Sequence, residues 1–166
     1  MKLVFCKLIV FFLLTSCSNI HFILDTKNSS NFLKNKTSFY VSGWDNLILN
    51  YILFSKIGSV DEKRFLLTAQ VNEKITKRSI SENQVAQKID YKITINYKLN
   101  DTKNKCPEIK NKQISKFSFT PKYSGYNFAS DVLLKNLYKE VILSNVNNFI
   151  TFSNNELKSS KCLNEN

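Results

Sequence analysis

Residues 88–99 read Lys-Ile-Asp-Tyr-Lys-Ile-Thr-Ile-Asn-Tyr-Lys-Leu, the most regular pattern in the chain. Polar and apolar side chains alternate throughout this stretch. A period of two predicts a β-strand that packs on a core with one face and meets water with the other. Residues 65–75 alternate in the same way, with only Glu73 breaking the pattern. The polar residues 77–83 between the two strands are expected to form the end of a hairpin, Lys77-Arg78-Ser79 on one side and Ser81-Glu82-Asn83 on the other.

Two further strands flank this pair. Residues 37–41 are rich in β-prone side chains and predict a first strand. Ile114, Phe117 and Phe119 mark a last strand, and the change of parity after Ile114 predicts a β-bulge. A polar loop over residues 100–112 is expected to precede that strand.

Helical spacing appears in two places. Ser42 and Asp45 have the spacing of a capping box, apolar residues recur at helical spacing from Trp44 onwards, and Gly58 suits a helix end. A second helical pattern begins at Tyr126 and continues for about 25 residues by the same criterion.

The order of these elements predicts the fold class. We expect an α+β protein, a two-layer α/β sandwich of order β-α-β-β-β-α. It contains an about four-stranded, mainly antiparallel sheet with two helices packed on one face, because the apolar face of the sheet needs a cover.

The N-terminus has the pattern of an export signal. A short basic start is followed by an apolar run from Leu8 to Leu14 and by small residues. Leu14-Thr15-Ser16-Cys17 resembles a bacterial lipobox, so residues 1–16 are expected to be a lipoprotein signal peptide and Cys17 to be lipidated. The alternative is an ordinary signal peptide with an incidental cysteine. We expect a flexible tether over 17–36, the sandwich domain over 37–152 and a polar tail over 153–166.

The remaining cysteines and the charge carry less information. Cys106 and Cys162 either form a disulfide in an oxidising compartment or stay as free thiols. The only histidine, His21, stands in the tether, so no metal site is expected. The formal net charge is +11, but nearly all the basic residues are lysine and the chain is rich in asparagine, so the charge has little weight.

We find no sequence motif for catalysis. No nucleophile elbow, phosphate-binding loop or zinc-binding helix motif is present, and no cofactor is expected. Asp61 and Glu62 stand beside Lys63 and Arg64, as in a solvated charge cluster. The aromatic residues fall on the predicted buried faces, so nucleic-acid binding is not expected. These patterns favour a protein that is not an enzyme.

The whole chain resembles the LPS-assembly lipoprotein family (LptE). The resemblance consists of the lipobox, the spacer and the element order, with three local features. Lys77-Arg78-Ser79 precedes a tyrosine-rich strand over residues 91–99. Residues 126–130 open the last helix with an aromatic residue followed by alanine, and residues 144–150 close it.

The resemblance implies an outer-membrane lipoprotein on the periplasmic side. Members of the family sit inside a large outer-membrane β-barrel (LptD), help it to assemble and assist the delivery of lipopolysaccharide to the cell surface. Lys74, Lys77 and Arg78 could then contact lipopolysaccharide phosphates through charge-assisted hydrogen bonds. The alternative for these three residues is a solvated turn. Ser18, directly after the lipidated cysteine, favours the outer membrane by the same resemblance.

Two other classes of function stay open. The chain could be an accessory periplasmic lipoprotein of a phospholipid or efflux transporter, which would also be small and tethered. It could also be an enzyme with an unrecognised site, which would require a deep pocket with convergent polar groups.

Overall fold

The computed structural model describes residues 31–44, 46–58, 63–80, 86–103, 106–121 and 128–160. The described residues all belong to one compact unit. The described elements follow the order β-α-β-β-β-α, which confirms the predicted fold class. They are β1 (Thr37–Gly43), α1 (Asn46–Ile57), β2 (Phe65–Ile80), β3 (Ala86–Asp101), β4 (Ile109–Phe119) and α2 (Phe128–Ser159).

The four strands form one mixed sheet in the order β1-β2-β3-β4. β1 runs parallel to β2, whereas the β2–β3 and β3–β4 pairs are antiparallel. The predicted bulge in β4 is wrong, because the β3–β4 register is continuous from Ile89 opposite Phe119 to Leu99 opposite Ile109. Ile114 breaks the apolar parity because it lies on the solvent face of the sheet, where it is about half exposed.

The β2–β3 hairpin is longer than expected. β2 continues to Ile80, so Lys77 and Arg78 lie within a strand and are paired with Ile89 and Lys88. The expectation that they form the end of the hairpin is therefore wrong. A run of polar residues can continue a strand because the hydrogen bonds between strands are made by the backbone and not by the side chains.

Two glycines allow α1 to connect parallel strands. Gly43 has φ of 100°, and a Cβ there would lie 2.1 Å from the Val71 carbonyl oxygen. Only glycine tolerates both the left-handed conformation and this close approach. At the other end of α1, Gly58 follows the last helical residue with φ of 83°, as expected for a helix C-cap. Asp45 of the expected capping box lies outside the described residues.

Both helices cover one face of the sheet, which we call the inner face. The odd-numbered side chains of β2 and β3 point to it, and Tyr97 stacks on Phe149 of α2 with ring centroids 4.1 Å apart. Asn145 of α2 is also buried, and its Oδ1 accepts a hydrogen bond from Ser115 Oγ of β4. The opposite, solvent-facing side of the sheet is called the outer face.

The described domain extends beyond the predicted limits at both ends. α2 continues to Ser159, and Leu157 is buried in the core, so the polar tail does not begin at residue 153. At the N-terminal side, Leu33 is fully buried although it was expected in the tether. The two extensions contact each other, since Phe32 N donates a hydrogen bond to Asn154 Oδ1 at 3.3 Å. This hydrogen bond explains why Asn154, a polar residue, can be buried, since buried polar groups need a hydrogen-bond partner.

Candidate anion-binding surface

Three lysines stand side by side on the outer face of the sheet. Lys74 of β2 is paired with Lys92 of β3, and Lys92 is paired with Lys116 of β4. We call Lys74, Lys92 and Lys116 the lysine row. Neighbouring strands lie about 4.8 Å apart, so the three side chains leave the sheet within about 10 Å of one another. Like charges directly opposite each other on neighbouring strands are destabilising, so this arrangement costs the fold stability.

Elsewhere on the outer face, the charges of two facing lysines are neutralised by a carboxylate. Lys98 is paired with Lys110 across β3 and β4, and Glu108 lies between them. The Glu108 carboxylate contacts Lys98 Nζ at 2.6 Å and Lys110 Nζ at 2.9 Å. Within the described part of the chain, no carboxylate is within salt-bridge distance of any member of the lysine row. Among the described residues, the lysine row is therefore a cluster of positive charge without a direct ion pair.

A shallow groove of about 380 Å³ runs along the lysine row. Besides the three lysines, its lining includes Thr76, Arg78, Asp90 and Ser118. Arg78 forms an ion pair with Asp90, and Ser118 Oγ donates a hydrogen bond of 2.7 Å to the same carboxylate. Asp90 thus compensates Arg78 and leaves the lysines available. Three lysine ammonium groups beside one groove suit a phosphate or another oxyanion.

Of the three residues predicted to contact lipopolysaccharide, the structure brings two together. Lys74 and Arg78 share the outer face and the groove. Lys77 has the opposite parity and is paired with Ile89, so it lies on the other face of β2. Lys92 and Lys116 were missed, because their proximity to Lys74 follows only from the strand register.

Below the groove, the inner face contains an aromatic cluster that supports this end of the sheet. Tyr91 stacks on Phe117 with centroids 4.9 Å apart, and the ring of Tyr138 packs edge-on against both. The Tyr138 hydroxyl donates a hydrogen bond to Glu73, the residue that breaks the alternation of β2. Burial, and then the charge of Glu73, raise the pKa of Tyr91 above its ordinary value. Glu73 therefore has a structural partner on the inner face.

Cys106 lies away from the lysine row, at the other end of β4. Cys106 is disulfide-bonded and stands just before β4. Cys17 and Cys162 lie outside the described residues, so lipidation and the Cys106–Cys162 pairing stay predictions. The end of α2 does lie beside Cys106 in the fold, because Pro107 and Ser160 line one cavity of about 350 Å³.

The described residues offer neither a metal site nor a spanning helix. No group of three or more histidine, cysteine or acidic side chains converges within the described ranges. Neither described helix is both long and apolar enough to cross a bilayer.

No protein-family model matches the chain, and no characterised protein matches its sequence. Among solved structures, the chain is similar to a proposed lipoprotein of Caulobacter crescentus, with 13% identity, a TM-score of 0.57 and coverage of 75% of this chain and 92% of that one. Rare lipoprotein B of Shewanella oneidensis shows 11% identity, a TM-score of 0.44 and coverage of 76% and 96%. Lipoprotein B of Nitrosomonas europaea shows 14% identity, a TM-score of 0.42 and coverage of 76% and 92%. The similarity to the Caulobacter structure shows that the two chains share a fold.

Proposed function

We propose that this chain is a non-catalytic outer-membrane lipoprotein, anchored on the periplasmic side through Cys17. It binds and plugs the β-barrel that transports lipopolysaccharide, helps that barrel to assemble and assists delivery of lipopolysaccharide to the cell surface. The lipobox-like sequence supports the anchor, and so does the fold shared with the proposed Caulobacter lipoprotein. The element order that resembles the LptE family supports the choice of partner.

The lysine row is the observation that carries the ligand part of the proposal. The same sheet face neutralises Lys98 and Lys110 with Glu108 but leaves Lys74, Lys92 and Lys116 without an acidic partner among the described residues. Folded proteins keep destabilising arrangements, such as this row of facing lysines, mainly where function requires them. Phosphate groups of lipopolysaccharide would supply the missing negative charge, with charge-assisted hydrogen bonds to the ammonium groups.

The partner is tested by purifying the tagged, lipidated protein from envelopes in mild detergent. Recovery of a large outer-membrane barrel at a one-to-one ratio supports the proposal. Recovery of an inner-membrane phospholipid or efflux transporter would instead favour the accessory lipoprotein, and recovery of no partner would contradict the plug role. Globomycin treatment, which blocks lipoprotein signal cleavage, tests the anchor separately, because an unprocessed precursor accumulates only when Cys17 is a lipidation site.

The ligand is tested by binding of purified lipopolysaccharide to the protein and to matched variants. We expect Lys92→Gln combined with Lys116→Gln to weaken binding at least tenfold, since each charge-assisted hydrogen bond contributes about 1.5–3 kcal/mol. Lys98→Gln combined with Lys110→Gln removes the same charge from the same face but outside the groove, and should change binding little. Equal losses in both double variants would show that only the net charge matters. Dephosphorylated lipopolysaccharide should bind both double variants and the parent protein alike.

A further inference from the structure

Helix α1 is apolar on both sides. Its inner side packs in the core, where Leu49 and Leu53 are fully buried. On its solvent side, Leu47, Tyr51 and Phe54 are 74%, 65% and 57% exposed. These three residues, here called the α1 stripe, follow one another at helical spacing and share one face. A helix that is apolar all round is typical of an element that is covered on every side, so the α1 stripe marks a docking surface.

The start of the described chain indicates what covers it. Asn31 lies at the C-terminal end of α1, since its Nδ2 donates a hydrogen bond of 3.0 Å to the Lys56 carbonyl. Thirteen residues separate Asn31 from Cys17 in the sequence. A chain of that length extends to at most about 50 Å. A lipid on Cys17 would therefore hold the α1 stripe close to the bilayer at a high effective concentration.

The composition of α1 fits a lipid surface. Tyr51, and Trp44 just before α1, are of the aromatic types that concentrate at membrane–water interfaces. The first turn contains no acidic residue, and the last turn contains Lys56, so the helix offers no negative charge to lipid phosphates. The interior of an outer-membrane barrel is polar by contrast, so α1 is expected to stay outside the lumen when the rest of the domain plugs the barrel.

We propose that the α1 stripe docks on the phospholipid surface of the membrane that holds the lipid of Cys17. The helix lies along the membrane, and its exposed side enters roughly 5–10 Å into the boundary between headgroups and acyl chains. This inference rests on the proposed lipid anchor, but it is independent of the barrel partner and of lipopolysaccharide.

Trp44 is the only tryptophan of the chain and stands just before α1. Its ring packs on Tyr138 with centroids 5.3 Å apart but is still 43% exposed, so its fluorescence can report lipid contact at this end of α1. The lipidated protein is reconstituted into vesicles of phosphatidylethanolamine and phosphatidylglycerol, with plain or brominated acyl chains. Bromine quenches tryptophan only at short range, and we expect about twofold lower Trp44 fluorescence in brominated vesicles for a helix at interfacial depth. Vesicle flotation, measured in parallel, reports whether the lipid anchor is present.

Matched variants show whether quenching of Trp44 fluorescence depends on contact between the α1 stripe and lipid. Leu47→Gln, and a triple variant that adds Tyr51→Gln and Phe54→Gln, should lose most of the quenching while they still float with the vesicles. Leu66→Gln combined with Ile114→Gln alters two exposed apolar residues of the outer face and should leave quenching unchanged. The single variant keeps the test decisive where the triple variant fails to fold.

Three results would overturn the inference. Equal fluorescence in plain and brominated vesicles, with flotation intact, would exclude lipid docking. A change in Trp44 emission only after addition of a purified lipopolysaccharide-transport barrel would assign the α1 stripe to a protein interface instead. Loss of flotation by the parent protein would remove the lipid anchor and this inference with it, while the lysine-row proposal would be unaffected.

Discussion

Replacing Lys92 with glutamine should stabilise the protein, although most substitutions do the opposite. Lys92 is the centre of the lysine row and faces one lysine on each neighbouring strand. Two unit charges about 5 Å apart in water repel each other by about 0.8 kcal/mol, and the substitution removes two such pairs. Mobile side chains and salt reduce this sum, because the Debye length is about 8 Å at physiological ionic strength. We expect the free energy of unfolding to rise by about 0.5–1 kcal/mol.

Urea unfolding at low and high salt measures this gain. In 1 M NaCl the Debye length falls to about 3 Å, so most of the gain should disappear. Lys98→Gln is the matched control, since Lys98 also lies on the outer face of β3 and opposite another lysine. Its removal breaks the contact with Glu108, and stability should stay constant or fall slightly. A destabilised Lys92→Gln protein, or a gain that persists unchanged in 1 M NaCl, would refute the charge-crowding argument.

Three further substitutions test the fold. Gly43→Ala should destabilise the protein by about 2 kcal/mol or more, because the new Cβ meets the Val71 carbonyl and alanine disfavours positive φ; thermal unfolding measures this. Leu33→Ala should cost about 2–5 kcal/mol in urea unfolding if residue 33 belongs to the core, and almost nothing if it belongs to a tether. Tyr97→Phe should flatten the loss of stability above pH 10. Burial raises the pKa of Tyr97 in the folded state, so the unfolded chain ionises first and stability falls as pH rises past about 10.

The strands of the sheet could be predicted from the sequence, because one wet face and one packed face impose a period of two. That pattern identified the buried side chains of β2 and β3, including Leu67 and Ile93. It could not identify where a strand ends, since the polar residues around Lys77 suit either a turn or an exposed ladder. The end of α2 was missed for a related reason. Ser153 and Asn154 are polar, and only the folded structure shows that they are buried.

The lysine row could not be predicted from any single strand, because it depends on how three strands are paired. Lys74 and Arg78 are four residues apart on one strand, so the alternation alone places them on one face. Lys92 and Lys116 join them only through the register of two hairpins, which depends on the lengths of both connections. The absence of a compensating acid is likewise visible only after Glu108 has been located beside Lys98.

The place of α2 in the chain has a consequence for the export that we propose. The β2–β3 hairpin joins residues that are close in sequence, so it can form early, as local contacts do. Its inner face, however, is covered by side chains of α2 such as Ile142 and Phe149, which would leave an export channel after all four strands. Until then the nascent domain presents an open apolar sheet to its surroundings. The protein should consequently depend on periplasmic chaperones during translocation, and premature termination before α2 should produce an aggregating or rapidly degraded product.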